Sequence, residues 1–344
     1  MSVESTSGLV RSLAHRLAGE NLELPDEGVL ASFAGATAWL NSAPLTPEGL
    51  RGKVVLVDFW TYTCVNWLRT LPYVRAWATK YRAQGLVVVG AHTPEFGFEH
   101  DLDNVRDSLG WFKVDWPVAQ DNDYGVWRAF NNHFWPALYL ADAQGRIRYH
   151  HFGEGEYAAT EMAIQQLLMA AGATDVDQNL VMVEPHGLEV AADWRVVQSG
   201  ETYVGYGQSS GFANEDVAAF DRAHVYAPRT LRLNEWALTG NWTVTEHAGV
   251  VNEPRARVSF RFHARDLNLV MAPSTRGAAL PFRVTLDGAP LGEAHGDDAD
   301  ADGTGTLSDQ RTYQLIRQPG VVIDRTAEIE FLAAGAEAYC FTFG

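Results

Sequence analysis

Residues 54–68 read VVLVDFWTYTCVNWL, and this stretch decides the fold of the first half of the chain. Its first seven residues are apolar except for Asp58 and are rich in valine, which is typical of a buried parallel strand. Apolar residues then recur at helical spacing as far as Tyr81, with Pro72 predicting a kink. Cys64 therefore lies at the turn between a buried strand and a helix.

Outward from this stretch, strands and helices alternate as in an α/β domain. The dipeptide Trp135-Pro136 comes just before one of the predicted strands. Residues 30–47 predict only short strands and turns. The clearer elements are a second buried strand at 86–91, a helix at 101–110, a hairpin of strands 137–141 and 146–150, and a closing helix at 157–171.

The pattern changes after Gly172. Apolar and polar residues then alternate with a period of two, which is typical of the half-buried strands of a sandwich. The clearest sets are Val258, Phe260 and Phe262; Phe282, Val284 and Leu286; and Tyr339, Phe341 and Phe343. We expect an N-terminal extension at 1–27 with Leu9, Leu13 and Leu17 at helical spacing, an α/β domain at 28–172, a linker at 173–187 and an all-β jelly-roll-like sandwich at 188–344.

The composition excludes several classes of function. Of 344 residues, 26 are Lys or Arg and 43 are Asp or Glu, which gives a formal net charge of −17. That charge repels phosphate backbones and anionic membrane surfaces, so nucleic acid is not an expected partner. No apolar run approaches the roughly 20 residues that span a bilayer, and no basic leader precedes one. We therefore expect no signal peptide, no membrane span and a cytoplasmic protein.

Cys64 is the first candidate for catalysis. A helix N-terminus stabilises a thiolate, and chemistry in open α/β sheets collects at the carboxyl ends of strands. The alternative is that Cys64 is a small buried apolar residue, as many lone cysteines are. The other cysteine, Cys340, lies in an alternating strand pattern and is expected to be buried and structural.

The residues around Cys64 resemble those of the thioredoxin superfamily, in which an aspartate of this strand precedes the reactive cysteine. Longer segments look like the TlpA-like and DipZ-like redoxins, namely residues 59–66, 92–96, 151–155, 311–315 and 341–344. The resemblance implies a thioredoxin fold in which Asp58 assists proton transfer, and a cis Pro136, with Trp135, helps to hold substrate at the sulfur. It also implies a second domain similar to carbohydrate-binding modules, with carbohydrate as a partner at the sandwich. The membrane-embedded part of DipZ-like proteins has no counterpart in this sequence.

One position departs from the family pattern. The family motif is C-x-x-C, whereas residues 64–67 read CVNW, so Trp67 stands where the resolving cysteine would be. Cys64 therefore works alone or is regenerated by an external low-molecular-weight thiol, with no bound cofactor required. The expected activity is that of a single-cysteine thiol oxidoreductase. Its substrate would be a disulfide, or a peroxide because Thr61 and Cys64 partly match the Thr-x-x-Cys pattern of peroxiredoxins.

Other functions stay open on the sequence alone. Loss of the resolving cysteine also fits a non-redox binding or scaffolding module, or an enzyme that uses Cys64 on one small metabolite. An aromatic rim of Trp60, Tyr62, Trp67 and Trp135 would suit a flat small-molecule ligand, unless these rings are core. His92 and Glu95 follow the second strand, where they would either polarise the thiol or only shape a turn.

The sandwich carries two further candidate sites. Asp298, Asp300, Asp302 and Asp309 have the spacing of a calcium-binding loop, although a solvated acidic loop has the same composition. The aromatic residues that would stack a sugar are Trp194, Tyr203, Tyr206, Trp236 and Trp242, most of which a sandwich needs for its core.

Overall fold

The computed structural model describes residues 24–344. The chain divides after Glu189 into two compact units, the second of which is Val190–Gly344. The predicted N-terminal extension, with its Leu9, Leu13 and Leu17 pattern, lies outside the described residues except for 24–27. Of these, Leu24 is buried in the core of the first unit. Within the described range, no helix is both long and apolar enough to cross a membrane.

The first unit is a seven-stranded sheet with helices packed against it. Its strands are β1 Gly28–Val29, β2 Ala38–Leu40, β3 Val54–Trp60, β4 Leu86–His92, β5 Val118–Gln120, β6 Ala137–Ala141 and β7 Arg146–Phe152. Its α-helices are α1 Val65–Tyr81, α2 Leu102–Trp111, α3 Gly125–Ala129 and α4 Tyr157–Ala170, with 3-10 turns at Gly97–His100 and Gly187–Glu189. The strand order is β1-β7-β6-β3-β4-β5-β2. β4 pairs in parallel with β3 and β5, and the other pairings are antiparallel.

The central strand β3 explains why the sequence around it is so apolar. Successive side chains of a strand point to opposite faces of the sheet. Leu56 and Trp60 enter one core cluster, and Val57 and Phe59 enter the other. Because both faces are covered, alternation between polar and apolar residues is lost. Asp58 is the one charged residue in this strand, and it is completely buried.

The predicted linker is bound to the first unit. In α4, Glu161 is buried, and both of its carboxylate oxygens accept the Val181 N–H, at 2.9 and 3.1 Å. Arg75 donates to Glu189 at 2.6 Å. Residues 173–189 therefore form a strap rather than a bare linker, because the buried Glu161 carboxylate takes donors from this segment. The partly buried strap side chains that contact the core are Ala173, Val176, Val181 and Leu188.

The second unit is an all-antiparallel β-sandwich-like domain. Its strands are β8 Thr202–Tyr203, β9 Ala223–Tyr226, β10 Trp236–Val244, β11 Gly249–Val251, β12 Ala256–Phe262, β13 Asp266–Pro273, β14 Leu280–Leu286, β15 Thr304–Leu307, β16 Arg311–Arg317, β17 Arg325–Phe331 and β18 Ala336–Phe343. Nine of them run in the order β15-β14-β17-β12-β10-β11-β18-β13-β16, while β8 pairs with β18 and β9 with β10. The residues predicted to face inward in β12 and β14 are buried in one cluster.

Cys340 lies inside this second unit. It is 1% exposed in β18, opposite Val270 of β13 on one side and Tyr203 of β8 on the other. The expectation of a buried thiol at this position is confirmed. Neither Cys64 nor Cys340 is part of a disulfide.

We expect one thiol to react with a disulfide reagent such as DTNB in the native protein and two in denaturant. Cys64 is only partly buried, whereas the packing around Cys340 excludes the reagent until the second unit unfolds. Counting released thiolate before and after unfolding checks this. Cys64→Ser serves as the control and should show no rapidly reacting thiol, and a rapid native reaction of Cys340 in that variant would contradict the expectation.

Candidate active site around Cys64

Cys64 caps the N-terminus of α1. Its φ and ψ of −68° and 109° are extended rather than helical, and its carbonyl accepts the first intrahelical hydrogen bond, from Leu68 N–H at 3.0 Å. The first turn of α1 contains no acidic residue of its own. Cys64 is therefore the residue at the positive end of the α1 dipole, a position that favours a thiolate.

The strand register brings other predicted residues to the same sheet edge. Trp60 pairs with His92, and Phe59 pairs with Ala137, so Pro136 lies opposite the end of β3 where the Cys64 turn begins. The Trp135–Pro136 peptide bond is cis. Pro136 is buried and Trp135 is half-buried, so the structure places both at the edge that carries Cys64.

A hydrogen bond and ring contacts hold Trp135 in place. Its indole N–H donates to the Thr93 carbonyl at 3.2 Å, and its ring lies 4.3 Å from that of Trp127. Thr93 in turn donates its hydroxyl to Asp121, a buried carboxylate that also accepts the Val126 N–H. The loop that carries Trp135 is thus tied to the end of β4.

Trp67 and Asp58 form a buried pair. The Trp67 indole N–H donates to Asp58 Oδ2 at 3.0 Å, and both side chains are completely buried. Burial raises the pKa of the Asp58 carboxyl to about 7, and the hydrogen bond from Trp67 limits that rise. The Trp67 ring also stacks on Trp60, with 4.2 Å between ring centroids. The position of a resolving thiol is therefore filled by a large indole that hydrogen-bonds the aspartate.

The expected aromatic rim is instead mostly core. Trp60, Tyr62 and Trp67 are at most 1% exposed, and only Trp135 remains partly accessible. Of the two alternatives for these rings, core packing therefore holds for Trp60, Tyr62 and Trp67. Their apolar rings pack under the sheet edge because α1 covers this face of β3 and β4.

His92 and Thr61 also turn inward. Thr61 is completely buried, and its hydroxyl lies 3.5 Å from His92 Nε2. Burial lowers the pKa of His92 to about 3, so its imidazole is neutral near pH 7. His92 therefore offers no positive charge to the thiolate, and Thr61 does not line an open substrate side.

Glu99 is a site residue that the sequence did not reveal. It is buried, and its carboxylate accepts the Thr63 hydroxyl at 2.6 Å and the Thr63 N–H at 3.3 Å. The other oxygen accepts the N–H groups of Glu95 and Phe96, at 2.7 and 2.9 Å. Glu99 thus ties the turn before Cys64 to the loop after β4, and Glu95 contributes its backbone N–H to this arrangement. No periodic signal marks a glutamate in such a loop.

A second missed interaction holds α1 from the other side. Arg69 donates to Glu154 at 3.4 Å, and both side chains are largely buried. The neighbouring Gly153 N–H donates to the Pro136 carbonyl at 2.8 Å. The loop after β7 therefore connects the helix of Cys64 to Pro136.

The calcium-loop prediction is not supported by the structure. Asp298 accepts from Arg311 at 2.6 Å and from the Gln314 N–H, and Asp300 accepts from the Thr304 N–H. Asp309 accepts the Ser308 hydroxyl at 2.6 Å, and Asp302 is not brought together with the others. Among residues 24–344, no three carboxylate, histidine or cysteine side chains are grouped to hold a metal ion. Asp298, Asp300 and Asp309 instead accept hydrogen bonds within turns and at strand ends.

The sandwich aromatics divide into two groups. Trp236 and Trp242 are completely buried, so they are core residues and cannot stack a ligand. Trp194 and Tyr206 are exposed, and Tyr203 is partly buried. Only the exposed rings remain available for the predicted carbohydrate.

Comparison with known proteins gives matches in both units. Residues 199–344 match the family model described as "Thioredoxin like C-terminal domain". Protein DipZ of Mycobacterium tuberculosis is 34% identical over 277 residues, which is 78% of this chain and 38% of DipZ. The chain thus spans well under half the length of that relative.

Shorter relatives match less than half of the chain. Thiol-disulfide oxidoreductase YkuV of Bacillus subtilis is 26% identical over 139 residues, covering 40% of this chain and 93% of YkuV. A solved thioredoxin-like protein in its oxidised form is 27% identical with a TM-score of 0.39, covering 42% of this chain and 96% of that one.

We expect Asp58 to make the protein less stable as the pH rises. Burial raises the pKa of its carboxyl from the ordinary 3.8 to about 7, so the folded state binds the proton more tightly than the unfolded state. The contribution of the protonated Asp58 carboxyl to the free energy of unfolding is complete below about pH 4 and is lost as the pH rises through 7. A shift of this size corresponds to about 4 kcal/mol.

Urea unfolding of wild type and Asp58→Asn between pH 4 and 8 measures this effect. The difference in unfolding free energy between the two proteins should change across that range, and a constant difference would contradict the prediction. Trp67→Phe removes the indole donor but keeps a large ring. Because that donor limits the rise in the pKa of Asp58, the unfolding free energy of this variant should continue to fall above pH 7.

Proposed function

This chain is a thioredoxin-like redoxin of the TlpA/DipZ type, and we propose that it is a thiol–disulfide oxidoreductase that works through the single cysteine Cys64. The observation that carries the proposal is the position of Cys64 at the N-terminus of α1, on the sheet edge that also holds Pro136 and Trp135. That position favours a thiolate next to a backbone segment that can align a disulfide.

The proposed reaction is an exchange in two steps. The Cys64 thiolate attacks one sulfur of a disulfide, forms a mixed disulfide with it, and releases the other sulfur as a thiolate. An external low-molecular-weight thiolate then attacks the substrate sulfur of the mixed disulfide and releases Cys64 as a thiolate. The external thiol replaces the released group in the disulfide, so electrons and protons balance. No bound cofactor takes part.

Trp67 supports the single-cysteine form of this reaction. It fills the position of a resolving thiol and is fixed there by Asp58 and Trp60. A mixed disulfide on Cys64 therefore has no internal thiol to attack it from the motif. Peroxide reduction is the less favoured branch, because Thr61, its expected polar partner, is buried against His92.

We expect Cys64→Ser to abolish thiol–disulfide exchange. The assay follows the transfer of a small thiol from a mixed-disulfide peptide to glutathione or cysteine, with wild type and variant at equal concentration. Cys340→Ser is the matched control and should retain the wild-type rate, since Cys340 is buried in β18. Equal rates in Cys64→Ser and wild type would refute the proposal. They would favour a non-redox binding role, while peroxide turnover without exchange would favour the other redox branch.

We expect Trp67→Cys to convert the site into a dithiol motif. Positions 64 and 67 are separated by about one helical turn, so the new thiol should form a disulfide with Cys64 and give insulin reductase activity. Loss of the buried indole should cost about 3–5 kcal/mol of stability. The variant is therefore compared with Trp67→Ser, which opens a similar cavity without a thiol, both in a Cys340→Ser background. Two free thiols in Trp67→Cys after mild oxidation would contradict this placement of residues 64 and 67.

A further inference from the structure

The second unit contains a small cleft of about 120 Å³ that the proposed reaction at Cys64 does not use. Two of the residues that line it are aromatic and exposed, Tyr206 at 36% and Phe220 at 45%. Their ring centroids lie 4.7 Å apart, and the ring planes are tilted by 44°. The buried side chains of Val204 and Val244 also line the cleft. Exposed rings beside a concave, partly apolar surface are typical of a ligand site.

Backbone hydrogen bonds to the end of β10 hold the segments that carry the two rings. The Tyr206 N–H donates to the Thr245 carbonyl at 3.0 Å. The N–H of Asp221, next to Phe220, donates to the Val244 carbonyl at 2.8 Å. Because one strand end fixes both segments, the cleft is already formed without a ligand, which lowers the cost of binding.

The charges around the cleft are negative. The Tyr206 hydroxyl donates to the Asp221 carboxylate at 3.0 Å, and this hydrogen bond raises the pKa of Tyr206, with the charge of Glu246 acting in the same direction. Glu215 lines the cleft, and its carboxylate makes no hydrogen bond or ion pair with any residue of the range 24–344. The described residues that line the cleft include no lysine, arginine or histidine. The cleft therefore disfavours an anion and favours a cation.

The rings and the carboxylates together select the kind of cation. The face of an aromatic ring attracts a cation that lies within about 6 Å of its centroid, and quaternary ammonium groups are bound in this way. Such a group spreads its charge over methyl groups, so it needs rings and negative charge rather than hydrogen-bond acceptors.

The size and shape of the cleft agree with a compact head group. Its volume is well below the roughly 300–1,000 Å³ of pockets that hold whole small-molecule ligands. A sugar ring stacks on one open, flat face, whereas the rings of Tyr206 and Phe220 are tilted against each other. A rounded cation contacts two tilted rings at once.

We propose that the cleft beside Tyr206 and Phe220 binds a quaternary ammonium group of the kind that choline carries. The two rings face its methyl groups, and Glu215 supplies the opposing charge. This proposal goes beyond the thiol exchange at Cys64 and does not rest on it.

The test is an NMR titration of the full chain with choline at constant ionic strength, with ¹³C-labelled tyrosine and phenylalanine rings. Ring signals are assigned with Tyr206→Leu and Phe220→Leu. We expect saturable shifts of both signals, and binding about tenfold weaker for 3,3-dimethylbutan-1-ol, which has the shape of choline without its charge. Equal binding of that alcohol, shifts with glucose instead of choline, or no saturable shift would overturn the proposal.

Substitutions locate the site within the second unit. Phe220→Leu removes a ring and Glu215→Gln removes a charge, and each should weaken choline binding about twofold to fivefold. Both side chains are exposed, so these variants should fold. Trp194→Leu and Glu293→Gln are the matched controls, because they change an exposed ring and an exposed carboxylate that do not line the cleft. Unchanged affinity in both Phe220→Leu and Glu215→Gln would overturn the proposal.

Two further measurements complete the test. Sedimentation with phosphatidylcholine vesicles distinguishes a lipid head group from free choline, and either source supports the proposal if Phe220→Leu weakens the binding and Trp194→Leu does not. Cys64→Ser should bind choline with the affinity of the wild type, which separates this result from failure of the proposed function.

Discussion

The hydrogen bond from the Trp67 indole to the Asp58 carboxylate is the contact on which the active-site region depends. A carboxylate in the middle of a doubly covered strand is unfavourable unless a donor reaches it. The indole that donates to Asp58 also stacks on Trp60. Trp60 in turn lies over Gly90, whose lack of a side chain makes room for the ring. Four positions on two strands and a helix are therefore fixed together around one buried carboxyl group.

Much of this architecture could be predicted from the residues. The valine-rich run predicted where β3 begins and ends, because a strand covered on both faces is apolar along its length and does not alternate with polar residues. Period-two patterns in β12 and β14 predicted inward-facing side chains because one face of each strand packs into the core. The short strand β5 escaped notice because three residues are too few for a period to show.

The polar contacts could not be predicted in the same way. Glu99 binds backbone groups of two loops that are distant in sequence, and this depends on loop geometry rather than on any spacing. For the aromatic residues near Cys64 the sequence left rim and core open, because side-chain type alone does not say whether a ring faces ligand or core. The acidic loop shows the same limit, because the aspartate spacing of a calcium site is equally compatible with arginine and backbone partners.

The strap changes where the first unit ends. Its residues 173–189 lie beyond the last helix of the α/β fold, yet Val181 bonds the buried Glu161 and Glu189 binds Arg75. A fragment cut after α4 would leave the Glu161 carboxylate without the Val181 donor and would expose apolar side chains that the strap covers. Recombination between related genes would meet the same constraint, since a crossover at Gly172 would separate α4 from the strap residues that pack against it. The unit that can be exchanged intact therefore extends to Glu189.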